Sequence, residues 1–284
     1  MLNSRRQVIQ HANGQTTTYI YDSFTDPWRP RETILIQHGF ARTAEHFYHW
    51  VPALSRHYNI VRRELRGHGG SSYPKGNERS GYDYSVNTIM NEIKDTLDQL
   101  GIEKVHFIGE STSGMLAEIF AATCPERVSS VVVCSSPTSL PPEAQKFLAF
   151  GMESWPEACR QLGSRGWATR LTASGGTVGS SDVAYLEWWT DRVAVSDGEG
   201  LAGYAKFLSS LDAWPYLKRI KAPMLVLAPT KSALVTVKSM EDLVAEVPNA
   251  RLEVVESEGH EIYAEAEEQC LSKIISFLKG IKGL

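Results

Sequence analysis

A serine lies among small residues near the middle of the chain. Gly109 and Gly114 flank Ser111 at spacings of two and three, between the predicted strand KVHFI and a helix-forming stretch. A nucleophile at the apex of a sharp strand-to-helix turn needs small neighbours, because the two backbones approach closely there. Such a turn also directs the next backbone N–H and the helix dipole towards a reacting oxygen. The pattern therefore predicts Ser111 as a nucleophile and the N–H of Thr112 as an oxyanion donor.

A histidine late in the chain could serve as the base that such a serine needs. His260 follows Gly259 after the last apolar stretch of the chain. Histidine is the usual base near neutral pH, because its ordinary pKa lies near 6.5. If both flanking stretches are parallel strands, their carboxyl ends meet at one edge of the sheet. We therefore expect His260 to lie beside Ser111.

A third group of residues follows the short apolar stretch TILIQ. The sequence continues with His38, Gly39 and Phe40, and Arg42 lies two residues further on. A glycine directly after a strand lets the next N–H point at a substrate carbonyl, so the N–H of Phe40 is the expected second oxyanion donor. The side chain of His38 is expected only to tie the loop together. Arg42 could bind a substrate carboxylate through two parallel hydrogen bonds, and the alternative is a surface arginine paired with Glu45.

The elements that must position these residues alternate along the chain. Apolar stretches predict strands over 16–21, 33–37, 58–62, 104–108, 128–134, 224–228 and 251–255, and amphipathic patterns predict helices over 50–56, 85–100, 115–123, 236–247 and a last stretch ending at 279. Strands that alternate with helices are typical of βαβ units and a mostly parallel sheet. The fold class expected is therefore α/β.

The alternation is interrupted between residues 138 and 214. This part has no predicted strand, and it contains five of the seven tryptophans and the flexible run SGGTVGSS. We expect an α/β core formed by 1–137 and 215–284, with 138–214 as a helical cap over the sheet. Trp155 and Trp188 are candidates for lining an apolar substrate pocket. The alternative is that this part is ordinary helical core and that its tryptophans only fill the interior.

Composition excludes several classes of protein. The 284 residues carry 29 basic and 33 acidic side chains, which gives a net charge of -4 and no attraction to nucleic acid or to an anionic membrane. No apolar stretch is long enough to span a bilayer, and the N-terminal residues do not form a signal peptide. The four cysteines form no CxxC pair. We expect a cytoplasmic protein with free thiols and no metal site; its oligomeric state stays open, and a homodimer is compatible with the sequence.

Taken together, these motifs resemble the α/β-hydrolase fold family. The resemblance rests on HGF at 38–40, RGHGGS at 66–71, GESTSG at 109–114 and GH at 259–260, and it covers 33–133 and 222 to the C-terminus. Within the family the chain is most similar to small esterases and lactonases of the enol-lactone hydrolase kind. The resemblance implies a helical cap after the sixth strand and an acyl-serine intermediate, with no cofactor. It also implies the roles already expected for Ser111, His260, Phe40 and Thr112.

One position departs from the family pattern. The family usually carries an aspartate after the penultimate strand, and Ser232 occupies that position here. Some relatives carry the acid after the sixth strand instead, but residues 135–140 contain no carboxylate. The next acids, Glu143 and Glu241, fall inside predicted helices. The acid that would orient His260 is therefore unassigned.

Three functions remain open at this point. The first is a cofactor-free serine hydrolase that cleaves a carboxylic ester or lactone of small or medium size. The second keeps the fold and changes the reaction to carbon–carbon bond hydrolysis, a lyase step or cofactor-free oxygenation. The third is a non-catalytic receptor or carrier for a small ligand, which would not need both Ser111 and His260.

Overall fold

A single mixed sheet forms the centre of the molecule. The computed structural model describes residues 6–28, 31–75 and 84–281. Within these ranges the strands are β1 (Gln7–Gln10), β2 (Thr16–Asp22), β3 (Thr33–Gln37), β4 (Asn59–Arg63), β5 (Val105–Glu110), β6 (Val128–Cys134), β7 (Met224–Pro229) and β8 (Ala250–Val255). Their order across the sheet is β1-β2-β4-β3-β5-β6-β7-β8. The prediction about a signal peptide concerns residues 1–7, of which 1–5 lie outside the described residues.

Helices cover both faces of this sheet. They are α1 (Val51–Leu54), α2 (Val86–Gln99), α3 (Thr112–Thr123), α4 (Pro142–Ala149), α5 (Trp155–Ala173), α6 (Val183–Val193), α7 (Gly198–Ser209), α8 (Val237–Glu246), α9 (Ile262–Glu265) and α10 (Glu267–Ile281). Short 3₁₀ helices occur at Ala44–Trp50, Pro125–Arg127 and Trp214–Arg219. The predicted helix over 50–56 is therefore split, because a 3₁₀ helix ends where α1 begins.

The pairing of the strands confirms the predicted mostly parallel sheet. From β4 to β8 every neighbouring pair is parallel, whereas β1 with β2 and β2 with β4 are antiparallel. All residues of β3 and β5 are buried, as expected for strands covered on both faces. The edge strand β1 was not predicted, because QVIQ is short and mostly exposed and therefore lacks a hydrophobic pattern.

Four helices, α4 to α7, separate β6 from β7 in the chain. Their large apolar side chains do not form a separate core: Trp155, Trp167 and Trp189 are buried in the same hydrophobic cluster as Leu35 and Phe107 of the sheet. The second cluster lies on the opposite face of the sheet and includes residues of α10. The inserted helices thus pack on the core from one side.

Two general features of the described residues bear on the expectations above. None of the helices in the described ranges combines the length and the apolar character required to cross a membrane. All four cysteines are free thiols, and three of them are buried. The thiol state agrees with the sequence prediction.

Candidate active site

Ser111 occupies a strained position between β5 and α3. Its φ of 52° and ψ of −127° lie outside the regions that non-glycine residues usually adopt. The turn is tight: a Cβ on Gly109 would overlap the carbonyl oxygen of Ser113, and a Cβ on Gly114 would overlap the hydroxyl of Ser136. The turn places the serine at the N-terminus of α3 and presents its Oγ at the carboxyl edge of the sheet. Backbone strain of this kind concentrates at functional sites.

The structure brings His260 next to this serine. Its Nε2 lies 2.8 Å from the Oγ of Ser111, although the two residues are 149 positions apart in the chain. His260 follows β8 and immediately precedes the turn into α9, and its backbone N–H donates to the carbonyl of Thr177 at 2.8 Å. Both side chains are buried, with 4% and 1% of their surfaces exposed. A serine and a histidine in this relation can act as nucleophile and base.

The second ring nitrogen of His260 meets a serine instead of a carboxylate. Oγ of Ser232 lies 2.9 Å from Nδ1 of His260, where the family usually places an acid. Among the described residues no carboxylate forms a hydrogen bond to this imidazole; the adjacent carboxylate of Glu261 binds other partners. Burial, together with the nearby Arg42 guanidinium, lowers the pKa of His260 to about 3. The imidazole is therefore neutral at physiological pH.

The expected oxyanion donors come from two segments, the loop after β3 and the first residue of α3. The N–H of Phe40 donates to Oγ1 of Thr112 at 3.1 Å. The N–H of Thr112 has no partner within α3, because Thr112 is the first residue of that helix. The ring of His38 ties the loop together, since its Nε2 accepts from the N–H of Leu65 at 3.2 Å and its Nδ1 lies 2.8 Å from the carbonyl of Gly39.

Arg42 is buried and is not the surface arginine considered as an alternative. Its guanidinium pairs with Glu261 and donates to the carbonyl of Phe40 at 2.6 Å, whereas Glu45 pairs with Arg192. A buried guanidinium needs a counter-charge, and Glu261 provides it from 219 positions away. The sequence motifs did not indicate this pair, because a carboxylate directly after the predicted base does not show which residue it contacts.

Glu261 also connects the core to the inserted helices. Its two carboxylate oxygens accept from Nε1 of Trp189 in α6, each at 3.1 Å, and Oε2 accepts from the hydroxyl of Tyr263 at 3.2 Å. The guanidinium of Arg42 lies 5.3 Å from the centre of the Trp189 ring. Four side chains thus join the loop after β3, the turn after His260 and helix α6.

Glu110 is a second buried carboxylate that the sequence analysis did not single out. It is the last residue of β5, and its Oε2 accepts from the N–H of Gly39 at 2.6 Å. Burial raises the pKa of Glu110 to about 7; the Arg42 guanidinium opposes this shift. A carboxylate at the end of a predicted buried strand, directly before the candidate nucleophile, was the available clue.

A small cavity lies over Ser111. Its volume is about 20 Å³, and its wall contains apolar side chains of the loop after β3, of α4 and α5 and of the segment after β7, with polar groups of Arg42, Thr112 and Thr177. Trp155 lies on this wall. Trp188 does not: it is half-buried and contacts the rings of His46, Tyr48 and Tyr185. The structure therefore brings together Ser111 and Trp155 but not Trp188.

The glycine-rich run between α5 and α6 covers the site. The carbonyl of Thr177 accepts from the N–H groups of both His260 and Glu261, at 2.8 and 3.1 Å, and the carbonyl of Gly176 accepts from the N–H of Ala233 at 2.8 Å. On its outer side, Val178 and Ser180 line a larger cavity of about 250 Å³. This run, expected to be flexible, is bound to the loops that carry His260 and Ser232.

Comparison with known proteins agrees with the fold. The chain is 28% identical over 200 residues to 3-oxoadipate enol-lactonase 2 of Acinetobacter baylyi, which covers 70% of this chain and 71% of that protein. It is 24% identical to carboxylesterase YbfK of Bacillus subtilis over 87% of this chain and 80% of that one. The crystal structure of an enol-lactonase from Burkholderia xenovorans superimposes with a TM-score of 0.83 at 22% identity, covering 96% of this chain and 100% of that chain. The family model of the α/β hydrolase fold matches residues 32–267. As the sequence motifs predicted, the chain belongs to the α/β-hydrolase fold family.

Proposed function

We propose that the protein is a cofactor-free serine hydrolase that cleaves a carboxylic ester or lactone of small or medium size. The observation that carries this proposal is the 2.8 Å separation of Ser111 Oγ and His260 Nε2 at the apex of a strained turn. A hydroxyl this close to a neutral imidazole can lose its proton as it attacks a carbonyl carbon. The similarity to an enol-lactonase and to a carboxylesterase supports the choice of ester bonds.

The reaction has two halves. In the first, Ser111 Oγ bonds to the carbonyl carbon, its proton passes to His260, and the carbonyl electrons move to the oxygen. The alcohol or enol then leaves with the proton from His260, and an acyl-serine remains. In the second, His260 takes a proton from water, which attacks the acyl group and releases the acid. For a lactone, both products remain one molecule.

The N–H groups of Phe40 and Thr112 would hold the developing oxyanion. In the structure the Phe40 N–H donates to the hydroxyl oxygen of Thr112 at 3.1 Å. The substrate oxygen would replace that hydroxyl as acceptor, which gives the two-donor arrangement that acyl transfer requires. Thr112 would thus keep the Phe40 donor oriented between turnovers.

The inserted segment would act as a cap that selects the substrate. We propose that residues 138–214 form the cap and that 1–137 and 215–284 form the core. Leu148, Trp155 and Leu171 of the inserted helices lie on the wall over Ser111. The cavity of about 20 Å³ has room for about one water molecule, so these walls would have to move apart to admit a substrate.

Two donors on the cavity wall could recognise an acceptor on the substrate. Nε of Arg42 and Nε1 of Trp155 are buried and have no hydrogen-bond partner among the described residues. A buried donor without a partner is costly, so a carbonyl or carboxylate oxygen is a suitable ligand. Arg42→Lys keeps the charge and removes the Nε donor, and it should raise KM more for a carboxylate-bearing lactone than for a neutral ester. Equal increases for both substrates would contradict this role.

A covalent probe tests the proposal as a whole. The protein is incubated with a fluorophosphonate, the labelled residue is located by peptide mass spectrometry, and a panel of p-nitrophenyl esters and lactones is assayed in parallel. Labelling at Ser111 together with turnover of esters or lactones is expected. No labelling and no turnover would contradict the proposal and favour a ligand-binding protein. The four free thiols support the cytoplasmic location that we propose with it.

A further inference from the structure

The hydroxyl of Ser232 lies at the centre of three hydrogen bonds. Its Oγ accepts from the backbone N–H groups of Leu234 at 3.0 Å and Val235 at 3.2 Å, and it lies 2.9 Å from Nδ1 of His260. A serine hydroxyl has one proton to donate and two lone pairs to accept with. Because backbone N–H groups can only donate, Leu234 and Val235 occupy both lone pairs. The bond to His260 is therefore left with the proton of Ser232.

We propose that Ser232 donates its O–H to Nδ1 of His260 and so holds the imidazole in the tautomer that carries its proton on Nε2. In a neutral imidazole one nitrogen donates and the other accepts, so a donor at Nδ1 leaves the hydrogen on Nε2. That hydrogen lies between Nε2 and Ser111 Oγ, which are 2.8 Å apart. Ser232 is thus a positioning residue that acts through His260.

A carboxylate at this position would impose the opposite tautomer. An ionised aspartate has no proton to donate, so it can only accept from Nδ1–H. It also has two oxygens, so one can accept from the backbone N–H groups while the other accepts from the imidazole. The single oxygen of Ser232 cannot divide these tasks. Replacing the acid by serine therefore reverses the direction of the hydrogen bond to His260.

This tautomer has a consequence for the proposed hydrolysis, on which the inference rests. An Nε2 that carries a hydrogen cannot take the proton of Ser111. When water enters the opened site, the proton on Nε2 passes to a water molecule and a proton from water binds Nδ1, with no net change in charge. Ser232 must then turn its hydroxyl to accept from Nδ1–H and give up one backbone donor, and Val235 has the longer bond. Losing one buried hydrogen bond lowers the population of the competent tautomer on the order of tenfold.

The two serine hydroxyls are the side-chain hydrogen-bond partners of the His260 ring among the described residues. His260 is 1% exposed, and its two ring nitrogens contact Ser111 and Ser232. Three charged groups of the site, Arg42, Glu110 and Glu261, are hydrogen-bonded to one another or to the backbone of the loop after β3. None of them reaches the imidazole with a hydrogen bond among the described residues.

Nuclear magnetic resonance can read the tautomer without any turnover. The full chain is labelled with ¹⁵N in its histidine rings, and long-range ¹H–¹⁵N correlations are recorded at pH 7. His260 is assigned by comparison with His260→Gln. The wild-type ring is expected to show a protonated Nε2 and an unprotonated Nδ1. The opposite assignment would overturn the proposal, because it would mean that both backbone donors share one lone pair of Ser232.

An isosteric pair of variants provides the control. Ser232→Asn offers an amide N–H to Nδ1 and should keep the wild-type tautomer, whereas Ser232→Asp should exchange the positions of the two ring-nitrogen resonances. If Ser232→Asp does not fold, the wild type and Ser232→Asn still decide the question. A wild-type ring protonated on Nε2 in a protein that a fluorophosphonate does not label would contradict the proposed hydrolysis but not the tautomer. A ring protonated on Nδ1 in a protein that is labelled would contradict the tautomer but not the hydrolysis.

Discussion

Glu110 and Gly39 are joined by a hydrogen bond of 2.6 Å from the backbone N–H of the glycine to Oε2 of the carboxyl group. Glu110 directly precedes Ser111, and Gly39 directly precedes Phe40, so the bond connects the strand that carries the candidate nucleophile to the loop that carries a candidate oxyanion donor. A Cβ on Gly39 would overlap the carboxylate of Glu110 and the Cβ of Ser111. The two segments are therefore held at a separation that only a glycine allows.

This buried carboxyl group predicts a pH-dependent stability. Its pKa is about 7 in the folded protein and close to its ordinary value of 4.5 when unfolded. The folded state therefore holds the proton more tightly, and stability falls as the pH rises from about 4.5 to about 7. Glu110→Gln keeps an acceptor for Gly39 and cannot ionise. The free energy of unfolding of this variant, relative to that of the wild type, should therefore increase by up to about 3 kcal/mol between pH 5 and pH 7.5.

The measurement is urea unfolding of both proteins at several pH values. The two free energies of unfolding are subtracted at each pH, because the buried histidines and the other carboxylates titrate in both proteins and their contributions cancel. A difference that stays constant from pH 5 to pH 7.5 would contradict the raised pKa of Glu110.

Ser111→Ala should abolish hydrolysis of esters and lactones and leave the fold intact. The expected loss in kcat is on the order of 10⁴ to 10⁶, as found when a catalytic serine is removed. Ser210→Ala is a matched control, because Ser210 is exposed and does not line the cavity over Ser111. Steady-state kinetics with the best ester of the panel compare kcat, and thermal unfolding curves show whether each variant keeps the fold. Activity of Ser111→Ala within tenfold of the wild type would exclude the acyl-serine.

Ser232→Asp should raise kcat/KM on an unactivated ester by about tenfold or more. The reason is that a carboxylate stabilises the imidazolium that forms, and loss of the correct tautomer in a serine protease costs roughly 10⁴ in kcat. The variant should also gain an acid limb in its pH profile, since the added negative charge raises the pKa of His260 from about 3. Wild-type His260 contributes no such limb between pH 5 and pH 8, because it is already neutral there.

The profiles of kcat/KM are compared from pH 5 to pH 9. Glu110 titrates in both proteins, so only the difference between the profiles reports on His260. Ser232→Asn should show no gain in kcat/KM. Lower activity of Ser232→Asp at every pH would mean that a second negative charge harms the site, which is the outcome expected if another carboxylate already serves His260.

Arg42→Met should destabilise the protein by about 3–5 kcal/mol, because it leaves the buried carboxylate of Glu261 without its counter-charge. Arg42→Met combined with Glu261→Gln removes both charges and keeps an acceptor for Trp189 and Tyr263. The double variant should therefore lose less stability than Arg42→Met alone. Urea unfolding at pH 7 measures both, and equal losses would show that the charge on Glu261 is not the cause.

Gly109→Ala should destabilise the protein by about 1–3 kcal/mol and lower its activity, because the added Cβ overlaps the carbonyl of Ser113. Gly280→Ala is the control: no heavy atom lies within 4 Å of a Cβ built there, and the residue is in α10. Its melting temperature should be unchanged or slightly higher. A Gly109→Ala protein with wild-type activity and stability would show that the turn can open without cost.

Local patterns predicted the parts of the site that depend on neighbouring residues. The turn at Ser111 needs small residues within three positions, and the strand before it contains Val105, Phe107 and Ile108, so both were recognisable. The position of His260 beside Ser111 followed from the rule that the carboxyl ends of parallel strands meet at one edge of the sheet. The start of α3 at Thr112, three residues before the predicted start, follows from the same turn, because the serine itself begins the helix.

Pairs that form across the chain could not be predicted in the same way. Arg42 and Glu261 are 219 positions apart, and no local pattern indicates that the two side chains meet. The lone pairs of Ser232 are filled by the backbone of a loop whose conformation the sequence does not specify. Trp155 and Trp188 were equivalent in the sequence, and only the packing of α5 and α6 places one on the cavity wall and the other outside it.

The distance in sequence between Ser111 and His260 also bears on how the protein folds. The two residues are 149 positions apart, and β8, which leads to His260, is the last strand of the sheet. Contacts of such high sequence separation form slowly, because the intervening chain must be ordered first. A nascent chain that has not yet emerged beyond β7 has a serine without its histidine. Activity regained during refolding should therefore lag behind the recovery of helix content, and would report the docking of the C-terminal segment.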